Sequence, residues 1–155
     1  MSLSLLYKSS LYIGIFLLIS TNLRSQEPPS PIFHPPENPA RATAPFSEAV
    51  QVGNLFFLSG QIGMDRSAGK LAPGGIQGET KQAILNIQKV LQYHNLNLDN
   101  VVKCTVILSD IADFKAFNEV YVQYFPKKPA RTTFAAAGLA VGAKIEIAVV
   151  AAQSP

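Results

Sequence analysis

Between residues 50 and 152 the spacing of apolar and polar positions changes several times, and each change marks an element. Residues 50–52 and 55–59 are apolar runs on either side of Gly53-Asn54, a two-residue turn signal, which predicts a β-hairpin. Gly60-Gln61-Ile62-Gly63 and a Gly/Pro-rich loop over 65–78 follow. Ala83, Ile84, Ile87, Val90 and Leu91 then recur at helical spacing, predicting an amphipathic helix from about 78 to 93. Residues 101–108 are rich in β-branched side chains and read as a strand. Asp110 is placed to cap a second helix with the stripe Ile111, Phe114, Phe117, Val120, Tyr121 and Tyr124, closed by Pro126 and Pro129. Residues 131–137 and 143–152 read as two final strands. The order ββ-α-β-α-ββ fits an α+β fold, a mixed sheet with two helices on one face.

The last strand tests that layout. Ile145, Ile147, Val149 and Ala151 share one face and are expected to meet the helices. Lys144, Glu146, Ala148, Val150 and Ala152 share the other, which is also largely apolar. Leu55, Phe56, Phe57 and Leu58 repeat this two-sided apolarity. A second face of that kind is expected to be covered by another copy of the chain. Within these strands Arg131 and Glu146 stand out, because charges are seldom buried without a partner or a task. Two explanations fit: a structural ion pair, or a site that holds a small carboxylate-bearing ligand.

The segment before residue 44 differs in composition. Lys8 precedes the mostly apolar run 11–19, a polar stretch ends at Ser25-Gln26, and no acidic residue appears before Glu27. Residues 1–25 therefore read as a signal peptide, with secreted or periplasmic export expected and a mitochondrial presequence as the alternative. The uncharged run over 9–23 is shorter than the ~20 apolar residues of a membrane span, so no stable membrane anchor is expected. Six prolines within residues 26–39 mark 26–43 as an extended, Pro-rich linker, leaving 44–155 as a single domain.

Of 13 basic residues, Lys8 and Arg24 belong to the leader, which leaves 11 against 10 acidic ones and no electrostatic footprint for nucleic acid. The single cysteine, Cys104, excludes an intrachain disulfide and any multi-cysteine metal site. Its alternation with Val102 and Val106 marks it as a small buried hydrophobe. His34 and His94 have no sequence neighbour that suggests a metal site or a triad.

Short motifs run through the domain in a fixed order: Ala44-Pro45-Phe46-Ser47-Glu48-Ala49-Val50, Gly53-Asn54-Leu55, Ser59-Gly60-Gln61-Ile62, Asn86-Ile87, Val102-Lys103-Cys104-Thr105-Val106, Asp113-Phe114 and Asn118-Glu119-Val120-Tyr121. They close with Pro129-Ala130-Arg131-Thr132-Thr133 and Ala143-Lys144-Ile145-Glu146-Ile147. Together they resemble the reactive intermediate deaminase family, the RidA/YjgF type, over residues 44–152. The resemblance implies a chorismate-mutase-like fold, a homotrimer with clefts between subunits, and cofactor-free, metal-free hydrolysis of 2-imino and 2-enamino acids to 2-keto acids and ammonia. It places the carboxylate-binding arginine on Arg131, the glutamate near the reacting carbon on Glu146 and the strand-end serine on Ser59. Two departures from the family pattern matter: Phe46 stands where tyrosine is common, and Thr133 where cysteine is frequent. Ala140, where proline is common, reads as a minor loop change. A non-catalytic trimer that binds small carboxylates or protein partners, and an endoribonuclease, are the competing functions.

Overall fold

The computed structural model describes residues 28–154, so the expected leader lies outside the described residues. Chain order gives β1 (Ile32–His34), β2 (Ala49–Val52), β3 (Leu55–Ile62), β4 (Met64–Asp65), β5 (Lys70–Leu71), α1 (Gly75–Tyr93), β6 (Val101–Leu108), α2 (Phe114–Tyr124), β7 (Ala130–Ala135) and β8 (Ile145–Ala152). Six strands form one sheet in the order β1-β2-β3-β8-β6-β7, and β4 pairs with β5 in a separate ribbon. Neighbours in the large sheet are antiparallel except β6 and β7, which are parallel and joined through α2. Both helices pack on one face, so the layout is the expected α+β sandwich.

The core lies between that face and the helices. Ile84, Ile87 and Leu91 of α1, Phe117 of α2, and Ile145 and Ile147 of β8 are all fully buried. Burial of such a side chain stabilises the fold by roughly 1.5–3 kcal/mol. Buried polar groups on α1 tie down the loops around it. Asn86 donates to the carbonyls of Ile62 and Met64, at 3.1 and 3.0 Å. Glu79 accepts from the backbone of Lys144 at 2.7 Å, which seats the start of β8. α1 begins earlier than its apolar periodicity alone indicates, after Gly74 and Gly75 turn the chain with φ of 97° and 61°.

Three expectations are altered. First, the Pro-rich segment contributes β1, an edge strand whose Ile32, Phe33 and His34 pair with Gln51, Val50 and Ala49. Pro31 and Pro35 flank it, and an edge tolerates residues that cannot donate to the ladder. Second, Asp110 caps a single 3₁₀ turn, accepting from the backbone of Ala112 at 2.9 Å, and α2 starts at Phe114. Ile111 and Phe114, placed on the buried stripe by periodicity, are exposed. Third, an irregularity between Val101 and Lys103 turns Val102 outward, while Cys104 and Val106 point inward as expected.

The opposite face of the sheet is open within the chain. Phe57 and Phe134 are 44% and 46% exposed there, with Ala148, Val150 and Ala152 half-buried beside them. The described residues contain no helix long and apolar enough to cross a membrane.

Candidate functional site

Strand alternation puts Glu146 between fully buried Ile145 and Ile147, so its side chain leaves the sheet on the open face. It lies opposite Ile62 of β3 and Ile107 of β6. The register of β3 against β8 shifts between Leu58 and Gln61, a bulge that carries Ser59 and Gly60. The Glu146 carboxylate rests directly over Gly60, where any Cβ would overlap it. Only glycine leaves room for the carboxylate at that point.

A cavity of about 330 Å³ opens beside Glu146, with Phe46, Gly60, Arg41, Arg66 and Ala140 among its lining residues. The Ala140 position, read from sequence as a minor loop change, therefore forms part of the cavity wall. Ser59 is not among these lining residues. Its hydroxyl donates to the carbonyl of Ser47 at 2.7 Å, and its amide donates to that of Glu48, fixing the segment that carries Phe46.

Sequence reasoning missed the charges on the wall. Glu48 is buried and receives Arg41 Nη1 at 2.8 Å, with Arg66 Nη1 at 3.5 Å from the same oxygen. Its other oxygen accepts the amide of Glu37 at 3.3 Å. Arg66 also donates to Gln61 Oε1 at 2.6 Å, and Arg41 lies over the Phe46 ring, 5.6 Å from its centroid. Burial and the neighbouring Arg41 cation both work against the charged form of Arg66, and Glu48 only partly offsets them. The one available signal was two arginines flanking a Glu in the motif region, without any spacing rule to join them.

Arg131 lies elsewhere. It starts β7 opposite Cys104, on the helix face, where α2 presents Asn118 Oδ1 to its Nη1 at 2.8 Å. Its guanidinium sits 4.6, 5.1 and 5.6 Å from the ring centroids of Tyr121, Phe117 and Phe114. Such contacts hold a cation by about 0.5–2 kcal/mol each, without neutralising it. No carboxylate among the described residues forms an ion pair with it. A hollow of about 370 Å³ opens beside it, between Tyr121, Phe125 and Pro129. Thr133, two residues on, has a buried hydroxyl without a partner among the described residues.

Arg131 and Glu146 therefore do not pair within the chain. They register with Cys104 and Ile107 of the intervening strand and leave the sheet on opposite faces. Three residues of strand and two strand spacings separate their backbones by about 14 Å, before the side chains diverge further. The structural ion pair weighed from sequence is absent from the single chain, and so is a ligand site made by both residues of one copy.

Burial pushes the Cys104 thiol and the Tyr121 hydroxyl above their ordinary values, so neither is poised as a nucleophile or base. The two histidines, unconnected in sequence, meet with ring centroids 4.4 Å apart and stack near Phe56. They line neither cavity described above. Among the described residues no group of His, Cys, Asp and Glu is arranged to hold a metal ion.

Residues 36–153 match the family described as "Endoribonuclease L-PSP". The human 2-iminobutanoate/2-iminopropanoate deaminase is 47% identical over 115 residues, 74% of this chain and 84% of that protein. The Arabidopsis thaliana chloroplastic Reactive Intermediate Deaminase A is 40% identical, over 74% of this chain and 62% of that protein. Among solved structures, E. coli TdcF with bound serine superposes with a TM-score of 0.68 at 28% identity, covering 79% of this chain and 94% of that one. The match spans both halves of the site and every strand from β2 onward, so this chain belongs to the endoribonuclease L-PSP family, the RidA/YjgF type that its motifs resemble.

Proposed function

We propose that this protein hydrolyses 2-imino and 2-enamino acids to 2-keto acids and ammonia, in clefts shared between copies of the chain. One observation carries the reading. Among the described residues, a half-buried arginine without a carboxylate counter-ion and a glutamate without an ion pair sit at two separate hollows of one chain. An unneutralised guanidinium held rigidly by Asn118 and three rings suits a ligand carboxylate, which it can bind through two parallel hydrogen bonds. The names of the human and Arabidopsis relatives support the reaction, and TdcF with bound serine supports an amino-acid-shaped ligand. The open apolar sheet face supports a covering copy, and the homotrimer expected from the family resemblance is the assembly proposed.

The chemistry needs few groups. A protonated imine carbon is already electrophilic. Glu146 takes a proton from water as the oxygen bonds to that carbon, forming a carbinolamine. It returns the proton to the nitrogen, the C–N bond breaks to release ammonia, and the hydroxyl proton passes back as the carbonyl forms. An enamine first takes a proton at its terminal carbon. Arg131 of a neighbouring copy holds the carboxylate, Phe46 packs on the substrate without the phenolic hydrogen bond of a tyrosine, and the Thr133 hydroxyl offers a donor near the clamp. Ser59 acts by holding the Phe46 segment in place. No metal or organic cofactor enters the proposed steps.

The leader belongs to the same proposal: residues 1–25 direct export, with mitochondrial import as the alternative. Sequencing the N-terminus of the protein recovered from its native cell separates the two from an uncleaved chain, and an intact Met1 refutes both. For the reaction, an L-amino-acid oxidase generates imines in situ and the purified protein is scored by their loss. Equal rates for wild type and Arg131→Ala sink the mechanism.

A further inference from the structure

The Glu146 cavity holds more positive charge than hydrolysis of a neutral imino acid requires. Arg41 and Arg66 both line it, and both converge on a single oxygen of Glu48. That carboxylate is buried, and its second oxygen is already used by a backbone amide. Glu146 lines the same cavity but forms no ion pair with either arginine among the described residues. Two guanidiniums and the Glu146 carboxylate therefore face the cavity, while Glu48, outside its lining, is shared between the two arginines. Arg66 spends one hydrogen bond on Gln61 and stands at 3.5 Å from Glu48, long for a direct pair, and its guanidinium carries five donors in all. Its side chain is 30% exposed and that of Arg41 27%, so both remain accessible from the cavity while partly removed from solvent. Stacking of Arg41 on Phe46 places this cation beside the ring expected to pack on the substrate.

We propose that Arg66, supported by Arg41, is a second carboxylate anchor, so that the preferred substrates are 2-imino acids whose side chain ends in a carboxylate. This rests on the deaminase reading. Arg131 of a second copy takes the carboxylate next to the imine, Glu146 serves the imine carbon, and the side-chain carboxylate turns to Arg66. A distal carboxylate supplies the counter-ion that Glu48 shares between two cations, and the anchor discriminates by charge against apolar side chains. Gln61 fixes the guanidinium by its 2.6 Å contact, which limits the ordering needed on binding.

The test compares 2-iminoglutarate, made by L-glutamate oxidase, with 2-iminobutanoate, made by an L-amino-acid oxidase, by semicarbazide trapping. Calorimetry with the stable products 2-oxoglutarate and 2-oxobutanoate runs alongside it. Wild type is expected to favour the dicarboxylate at least tenfold in kcat/KM and in affinity. Arg66→Gln, which can keep an amide contact to Gln61, is expected to lower both ratios tenfold or more, and Arg66→Lys to restore part of them. Equal kcat/KM and equal affinity for the two compounds in wild type overturn the anchor and leave the deaminase reading intact. Retained dicarboxylate preference in binding, with no turnover of either imine, overturns the deaminase reading and keeps the anchor. If Arg66→Gln lowers affinity for both products equally while Arg131→Ala changes neither, Arg66 holds the primary carboxylate and the proposed arrangement is wrong.

Discussion

The two charged centres of this chain are built by opposite means. Arg131 is gripped: three aromatic rings of α2 and the Asn118 amide set its direction, and a fully buried Phe117 anchors the platform in the core. Glu146 is accommodated. A bulge in β3 and an absent side chain at Gly60 make room for it, and no hydrogen bond or ion pair among the described residues restrains its carboxylate. The difference matches the tasks proposed for them. A carboxylate clamp gains from rigid, pre-directed donors, whereas an acid/base must stay unpaired so that it can exchange a proton.

The largest expected effect separates these tasks directly. Glu146→Gln should lower kcat by about 10²–10⁴-fold with little change in KM, the range for removal of a general acid/base. Arg131→Lys should instead act mainly on KM, because lysine keeps the charge and loses the fork. The same pattern of kcat and KM for both variants would erase the distinction. In stability the order reverses. Phe117→Ala removes a fully buried ring under the Arg131 platform and should cost about 3–5 kcal/mol in denaturant melts. Glu146→Gln, on the open face, should leave the midpoint nearly unchanged.

Shared clefts give a further prediction. In oligomers re-formed from equal amounts of Arg131→Ala and Glu146→Gln chains, about a quarter of the sites combine an intact arginine with an intact glutamate from different copies. Activity should return to about that fraction of wild type. No recovery would show that both residues of a site come from one chain. Asn118→Ala tests the grip more gently: loss of its 2.8 Å contact should raise KM about tenfold while kcat stays near wild type.

The smallest effect lies outside both centres, at His94. Burial, aided by the neighbouring His34, lowers its pKa from the ordinary value of 6.5. The unfolded chain then takes up the proton first as pH falls, so this contribution to stability is complete above about pH 6.5 and lost below it. Denaturation midpoints at pH 7.5 and 5.5 should diverge less in His94→Gln than in wild type. An identical divergence in both would assign the acid sensitivity to other groups.

Much of the architecture was legible from local patterns. The Gly53-Asn54 turn, the α1 stripe and the alternation of β8 each report on neighbours close in sequence, and all three stand in the structure. Even the outward direction of Glu146 followed from its place between Ile145 and Ile147. Local patterns failed where register intervened: the irregularity at Val101 reversed Val102, and Ile111 and Phe114 at the start of the α2 stripe face solvent because a 3₁₀ turn precedes the helix. The edge strand β1 was hidden because prolines on both sides read as a linker, although a sheet edge accommodates them.

The sequence by itself determined the chemistry available: one arginine and one glutamate on late strands, a Ser-Gly pair at the end of an early strand, and a single cysteine. Only the tertiary structure decided how those groups are distributed. Whether two residues on neighbouring strands share a face depends on summed register along β6, β7 and β8, which no local spacing encodes. That sum puts Arg131 against the helices and Glu146 on the open side, and gathers Arg41, Glu48 and Arg66 around the Glu146 cavity. The same residues that read as a pair in one dimension are, in the folded chain, two halves that face different partners.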